Sequence, residues 1–121
     1  FYKDLVGIET DPAAPDFKNV VIRPTPVGDL EWAEATYRSL RGPIAVRWDR
    51  GGGKFRMRAT IPANTTSALY LPADTNSEVT EGGTDVSQSV GVRLVGREGD
   101  RNVYALESGQ YDFESRFEPA N

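Results

Sequence analysis

Apolar and polar residues alternate with a period of two along much of this chain, and turn residues interrupt the alternation every ten or so positions. That pattern predicts short β-strands. It is cleanest in the middle, where Ile44, Val46 and Trp48 share one face of a strand over residues 44–49 and Ala45, Arg47 and Asp49 share the other. Over residues 55–61, Phe55, Met57, Ala59 and Ile61 oppose Arg56, Arg58 and Thr60 in the same way, with Lys54 just ahead. The last run, residues 110–117, sets Tyr111, Phe113, Ser115 and Phe117 against Gln110, Asp112, Glu114 and Arg116. Less regular runs at 19–23, 30–39, 68–71, 77–80, 92–95 and 103–106 bring the expected number to eight or nine strands. So many short strands with glycine-rich turns indicate an all-β chain, an antiparallel, jelly-roll-like β-sandwich.

Two details sharpen the expectation. A two-residue turn at Gly51-Gly52 would use the positive φ angles that glycine adopts freely. It would pair Trp48 with Phe55, Val46 with Met57, Asp49 with Lys54 and Arg47 with Arg56. The Arg-Arg pair is unfavourable unless neighbouring strands bring carboxylates. Glu31, Glu34, Asp112 and Glu114 are the ones available. By contrast, Val20-Val21-Ile22 does not alternate, which predicts a strand covered on both faces. Pro24 and Pro26 stop it.

Ahead of the strands, Phe1 to Val6 form a short amphipathic stretch followed by Gly7, the pattern of a helix end. Residues 9–16 carry Pro12 and Pro15, which remove donors and restrict their predecessors, so they read as a linker. The expected organisation is a helical stub over 1–8, a linker over 9–16 and a sandwich over 17–121.

Composition bounds the function. At 121 residues, with 38% hydrophobic and 26% charged residues, the chain holds one globular domain's worth of core. It has neither Cys nor His. That excludes disulfides, Ser-His-Asp and Cys-His catalysis, and the commonest zinc ligands. A net charge of −4 argues against a nucleic-acid partner, and no run approaches the ~20 apolar residues of a membrane span. The start, Phe1-Tyr2-Lys3-Asp4, has no initiator Met or signal pattern, so the chain reads as an excised piece whose targeting signal would lie upstream, leaving its localisation open.

No constellation here assigns a catalytic, cofactor-binding or metal-binding residue. Glu31 and Glu34 fall on opposite strand faces. Asp112 and Glu114 share a face about 7 Å apart, a spacing open to glycosidic-bond hydrolysis. An exposed sheet face, however, offers nothing to raise one carboxyl pKa, so both read as solvated. Trp32, Trp48, Tyr37, Tyr70, Tyr104 and Tyr111 could stack on sugars, but core packing is the better expectation for all six. Arg41, Arg47, Arg50, Lys54, Arg56 and Arg58 read as a hydrated basic face. Gly51-Gly52-Gly53-Lys54 lacks the spacing and following helix of a phosphate cradle and reads as a hairpin tip. Asn64-Thr65-Thr66 matches a glycosylation acceptor, with an Asx turn the better reading.

Two blocks carry a resemblance: Ile22 to Ile44, IRPTPVGDLEWAEATYRSLRGPI, and Ile61 to Pro72, IPANTTSALYLP. Arg23, Pro24, Pro26, Gly28, Asp29 and Leu30 precede Trp32, Ala33, Ala35, Tyr37 and Ser39. Then come Arg41-Gly42, Ile44, Pro62-Ala63-Asn64-Thr65-Thr66 and Tyr70-Leu71-Pro72. In order and spacing this resembles the C-terminal β-sandwich domain of bacterial α-L-rhamnosidases. Residues 107–113 resemble the end of that domain. The resemblance implies a non-catalytic accessory module, packed on an (α/α)6 barrel that hydrolyses terminal rhamnose by inversion. None of that barrel's catalytic residues maps onto this chain, and Thr25 stands where other members can carry a larger residue, sometimes His. The family's barrel would join at Phe1, Tyr2, Leu5, Val6 and Ile8, which are therefore expected at an interdomain contact. The alternative reading is a carbohydrate-binding module with its own affinity for rhamnose-containing glycans.

Overall fold

The computed structural model describes residues 8–10, 19–24, 31–39, 42–63, 65–75 and 77–117, and they form two stacked sheets. Sheet A has five strands in the order β1-β2-β6-β10-β9. These are β1 (Ile8–Thr10), β2 (Asn19–Ile22), β6 (Thr66–Pro72), β10 (Arg101–Leu106) and β9 (Val92–Glu98). Sheet B has six, in the order β3-β4-β5-β11-β7-β8. They are β3 (Trp32–Ser39), β4 (Gly42–Gly51), β5 (Lys54–Ile61), β11 (Gly109–Arg116), β7 (Thr80–Glu81) and β8 (Thr84–Asp85). The chain is thus the expected β-sandwich. All pairs are antiparallel but one, since β2 runs parallel to β6.

The core fills the gap between the sheets, as the alternation predicted. Ile44, Val46, Trp48, Phe55, Met57, Ala59, Ile61, Phe113 and Phe117 come from sheet B; Val20, Ile22, Leu69, Leu71, Tyr104 and Leu106 come from sheet A. Trp48 stacks on Phe55 with ring centroids 5.5 Å apart, and Tyr104 stacks on Phe113 across the sheets at 6.0 Å. Burying a large side chain of this kind stabilises by about 1.5–3 kcal/mol.

Three local features differ from the expectation. The β4–β5 turn sits at Gly52-Gly53, with φ of 60° and 77°, and Gly51 pairs with Lys54. Trp48 therefore pairs with Met57, Asp49 with Arg56 and Arg47 with Arg58. Three consecutive glycines allow either turn, and a slip of two residues leaves every side chain on its predicted face. The run at 77–80 contributes only Thr80–Glu81, in a small hairpin around Gly82-Gly83 followed by a 3-10 turn at Val86–Gln88. Finally, Ile8–Thr10 is a strand, paired with Ile22, Val21 and Val20, where the stub and linker had been expected to meet. The expected helix over residues 1–6 lies outside the described residues.

Candidate functional site

The acidic candidates sit on the outer face of sheet B among basic partners. Arg47 meets Glu34 at 3.2 Å, Arg56 meets Asp49 at 3.4 Å and Glu114 at 3.3 Å, Lys54 meets Glu114 at 3.6 Å, and Arg58 meets Asp112 at 3.8 Å. Neighbouring strands therefore bring the carboxylates that the arginine ladder needed. These pairs are solvent-exposed, so each contributes at most about 1 kcal/mol. Asp112 and Glu114 each meet basic partners on this open surface. Among the described residues, no three acidic side chains converge to hold a metal ion, and no helix is long and apolar enough to cross a membrane.

The aromatic candidates separate. Trp48, Tyr104 and Tyr111 are buried, as expected. The Tyr111 hydroxyl donates to the Glu107 carbonyl at 2.7 Å, and burial, followed by the charges of Glu107 and Glu81, pushes its pKa up. Burial also raises the pKa of Tyr104, despite the hydrogen bond it accepts from Asn102. Tyr70 is half-buried under the Arg23 guanidinium, 4.2 Å from the ring centre. Trp32 corrects the expectation of core packing: it is 52% exposed. Its register opposite Asp49 places it on the outer face, and the small Ala33 takes the inward position. The side chain of Tyr37, Asn64, Thr25 and Arg41 lie outside the described residues.

The outer faces of the two sheets differ in chemistry. On sheet B the outward positions of β4, β5 and β11 include Arg47, Asp49, Arg56, Arg58, Asp112 and Glu114. On sheet A the outward positions of β2, β6 and β10 include Val21, Ala68, Tyr70, Pro72, Val103 and Ala105, with Thr66 and Arg101 as polar members. A groove of about 720 Å³ lies against this sheet, with Val21, Ala68 and Ala105 across it and Arg93 at its margin. The edge strand β9 ends this apolar character, with Arg93 opposite Ala105 and Glu98 opposite Arg101, while Val90, Leu94 and Val95 at the edge are 92%, 61% and 60% exposed. A sheet with one wet face alternates, whereas apolar residues on both faces mark a sheet that is covered twice. Sheet B alternates in the first way, whereas the middle strands of sheet A carry apolar residues on both faces. No sequence reading of single motifs picked out this face, although the unbroken Val20-Val21-Ile22 run was its signal.

Comparison with known proteins places this sandwich. Residues 7–85 match the model of the bacterial alpha-L-rhamnosidase C-terminal domain. The chain belongs to that family. It is 40% identical over 73 residues to an alpha-L-rhamnosidase of Streptomyces avermitilis, covering 60% of this chain and 7% of that enzyme. The crystal structure of the S. avermitilis alpha-L-rhamnosidase complexed with L-rhamnose superimposes with a TM-score of 0.77 at 32% identity, over 93% of this chain and 10% of that one. The alpha-L-rhamnosidase of Dictyoglumus thermophilum shares the fold, with a TM-score of 0.74 at 23% identity over 93% of this chain and 12% of that one. The chain thus spans about a tenth of the length of the relatives it matches. It is a C-terminal domain of the rhamnosidase type, and a helical catalytic barrel is no part of it.

Proposed function

We propose that this domain is a non-catalytic accessory module of an α-L-rhamnosidase. It packs through the outer face of sheet A on the (α/α)6 catalytic barrel that hydrolyses terminal rhamnose. The observation that carries the reading is the contrast between the faces: Val21, Ala68, Tyr70, Val103 and Ala105 on one, and an arginine–carboxylate ladder on the other. An apolar face this broad is stable in water when something covers it. The family supplies the occupant, because the relatives are whole rhamnosidases of which this fold is a small part. In the same reading Phe1, Tyr2, Leu5, Val6 and Ile8 belong to the junction, and Ile8 enters sheet A beside β2.

The test is an assay of the isolated chain on an aryl rhamnoside beside a complete α-L-rhamnosidase. The chain alone should show no turnover. Turnover that disappears on changing Asp112 or Glu114 to the amide would refute the accessory reading.

A further inference from the structure

A sheet edge presents unpaired backbone N–H and C=O groups, and folded chains blunt such edges with very short strands, bulges, prolines or lysines. Three of the four edges of this sandwich are blunted. Strand β1 has three residues and β8 has two. Strand β9 is bulged in its pairing with β10 and carries Arg93, Arg97 and Glu98. The fourth edge, β3, is eight residues long, pairs with β4 without a bulge, and holds neither Pro nor Lys. Among the described residues β4 is the only strand beside it.

The phase of the β3–β4 ladder fixes which backbone groups face the open edge. The Arg50 amide donates to the Glu31 carbonyl at 2.8 Å, one position beyond the Trp32–Asp49 pair. Hydrogen-bonded pairs alternate along an antiparallel ladder, so residues 33, 35, 37 and 39 bond to β4 as residue 31 does. The N–H and C=O groups of Trp32, Glu34, Thr36 and Arg38 therefore point out of the edge, in the plane of the sheet. Pro43 stands opposite Arg38, and this phase asks no N–H of it. The same four residues have exposed side chains. Glu34 gives Oε2 to Arg47, which leaves Oε1 available, and Arg38 makes no ion pair among the described residues.

We propose that β3 pairs with β3 of a second copy of this chain, antiparallel, about a two-fold axis through Thr36. In that register Glu34 of each copy stands opposite Arg38 of the other, and Thr36 faces itself. Each of these pairs exchanges two backbone hydrogen bonds, and the two B sheets become one continuous sheet. Charge selects the register, because opposite charges directly across a ladder stabilise and like charges destabilise. An axis through Glu34 or Arg38 sets like charges against each other, and an axis through residue 35 or 37 forms no Glu–Arg pair. The contact is one strand wide and smaller than a standard interface, so the dimer should form with a Kd of about 10–100 µM. It uses an edge of sheet B and does not rest on the accessory reading.

The test is sedimentation equilibrium of the chain over about 1 µM to 1 mM, a range that spans this Kd; the average mass should rise from one chain to two. Arg38→Glu and Glu34→Arg change exposed side chains. Each sets like charges opposite one another twice and should weaken association about tenfold or more. An equimolar mixture of the two variants should associate again, because the mixed pair restores opposite charges at both positions. The chain has no cysteine, so Thr36→Cys reports the register. A hydrogen-bonded pair has Cα atoms about 5.5 Å apart, within disulfide reach. This variant should cross-link to a dimer under mild oxidation, and Thr84→Cys, exposed on the opposite edge of sheet B, should do so far more slowly. A single-chain mass throughout, association unchanged in both charge variants, a mixture that stays monomeric, or equal cross-linking at both positions would each overturn the proposal. None of these results would bear on the outer face of sheet A.

Discussion

Replacing Ser115 by alanine tests whether the space between the sheets is dry and tied across. Ser115 belongs to β11 of sheet B, is 2% exposed, and donates its hydroxyl to the carbonyl of Pro72 in β6 of sheet A at 2.7 Å. The bond crosses the sandwich. Alanine deletes one oxygen, so the cavity left behind is small and the loss is almost entirely polar. What remains is a buried carbonyl deprived of a donor, which costs about 1–3 kcal/mol. For a chain of this size each kcal/mol lowers Tm by about 3–6 °C. Urea unfolding should show a lower midpoint with an unchanged m-value, the signature of lost stability without a change in the exposed surface. A cost below about 0.5 kcal/mol, the usual range for surface substitutions, would show that water reaches Pro72 and that the sheets are not sealed there.

Other perturbations separate the remaining parts of the account. Gly91→Ala should cost about 2–4 kcal/mol by urea titration, because φ is +85° and the new Cβ would lie 2.6 Å from the Tyr111 hydroxyl that bonds Glu107. Arg56→Ala should cost no more than about 1 kcal/mol, with a smaller effect at high salt, since both its ion pairs are exposed. Stability measured against pH should fall as pH rises past about 10, the ordinary tyrosine value. The folded-state pKa values of Tyr104 and Tyr111 are raised, so the unfolded chain releases those protons first. Tyr104→Phe should flatten that decline.

Much of this architecture is legible in the residues, for identifiable reasons. Strands β4, β5 and β11 alternate strictly because one face is core and the other water, so Trp48, Met57 and Phe113 could be placed without coordinates. The partners across the hairpin could not, since Gly51, Gly52 and Gly53 accept the turn equally well. Trp32 misleads because hydrophobicity argues for burial, while its register, set by the pairing of β3 with β4, turns it outward. Strand β1 is three residues long and too short to show a period. The apolar outer face of sheet A is hardest to read: Ala68, Val103 and Ala105 look like ordinary strand residues until β6 and β10 are seen side by side.

The central claim is that the outer face of sheet A is covered by the catalytic part of a rhamnosidase. The most direct measurement is the stability of a paired substitution, Ala68→Lys with Ala105→Glu, in the 121-residue chain and in a rhamnosidase polypeptide that carries it. These positions face each other across β6 and β10, so the new charges can pair in the isolated domain. Urea unfolding of the chain alone should then move by no more than about 0.5 kcal/mol. In the larger polypeptide the same pair would be desolvated against the barrel, so the domain should unfold about 3 kcal/mol or more earlier, in a transition of its own. Equal, small effects in both contexts would contradict the account and show that this face stays in water.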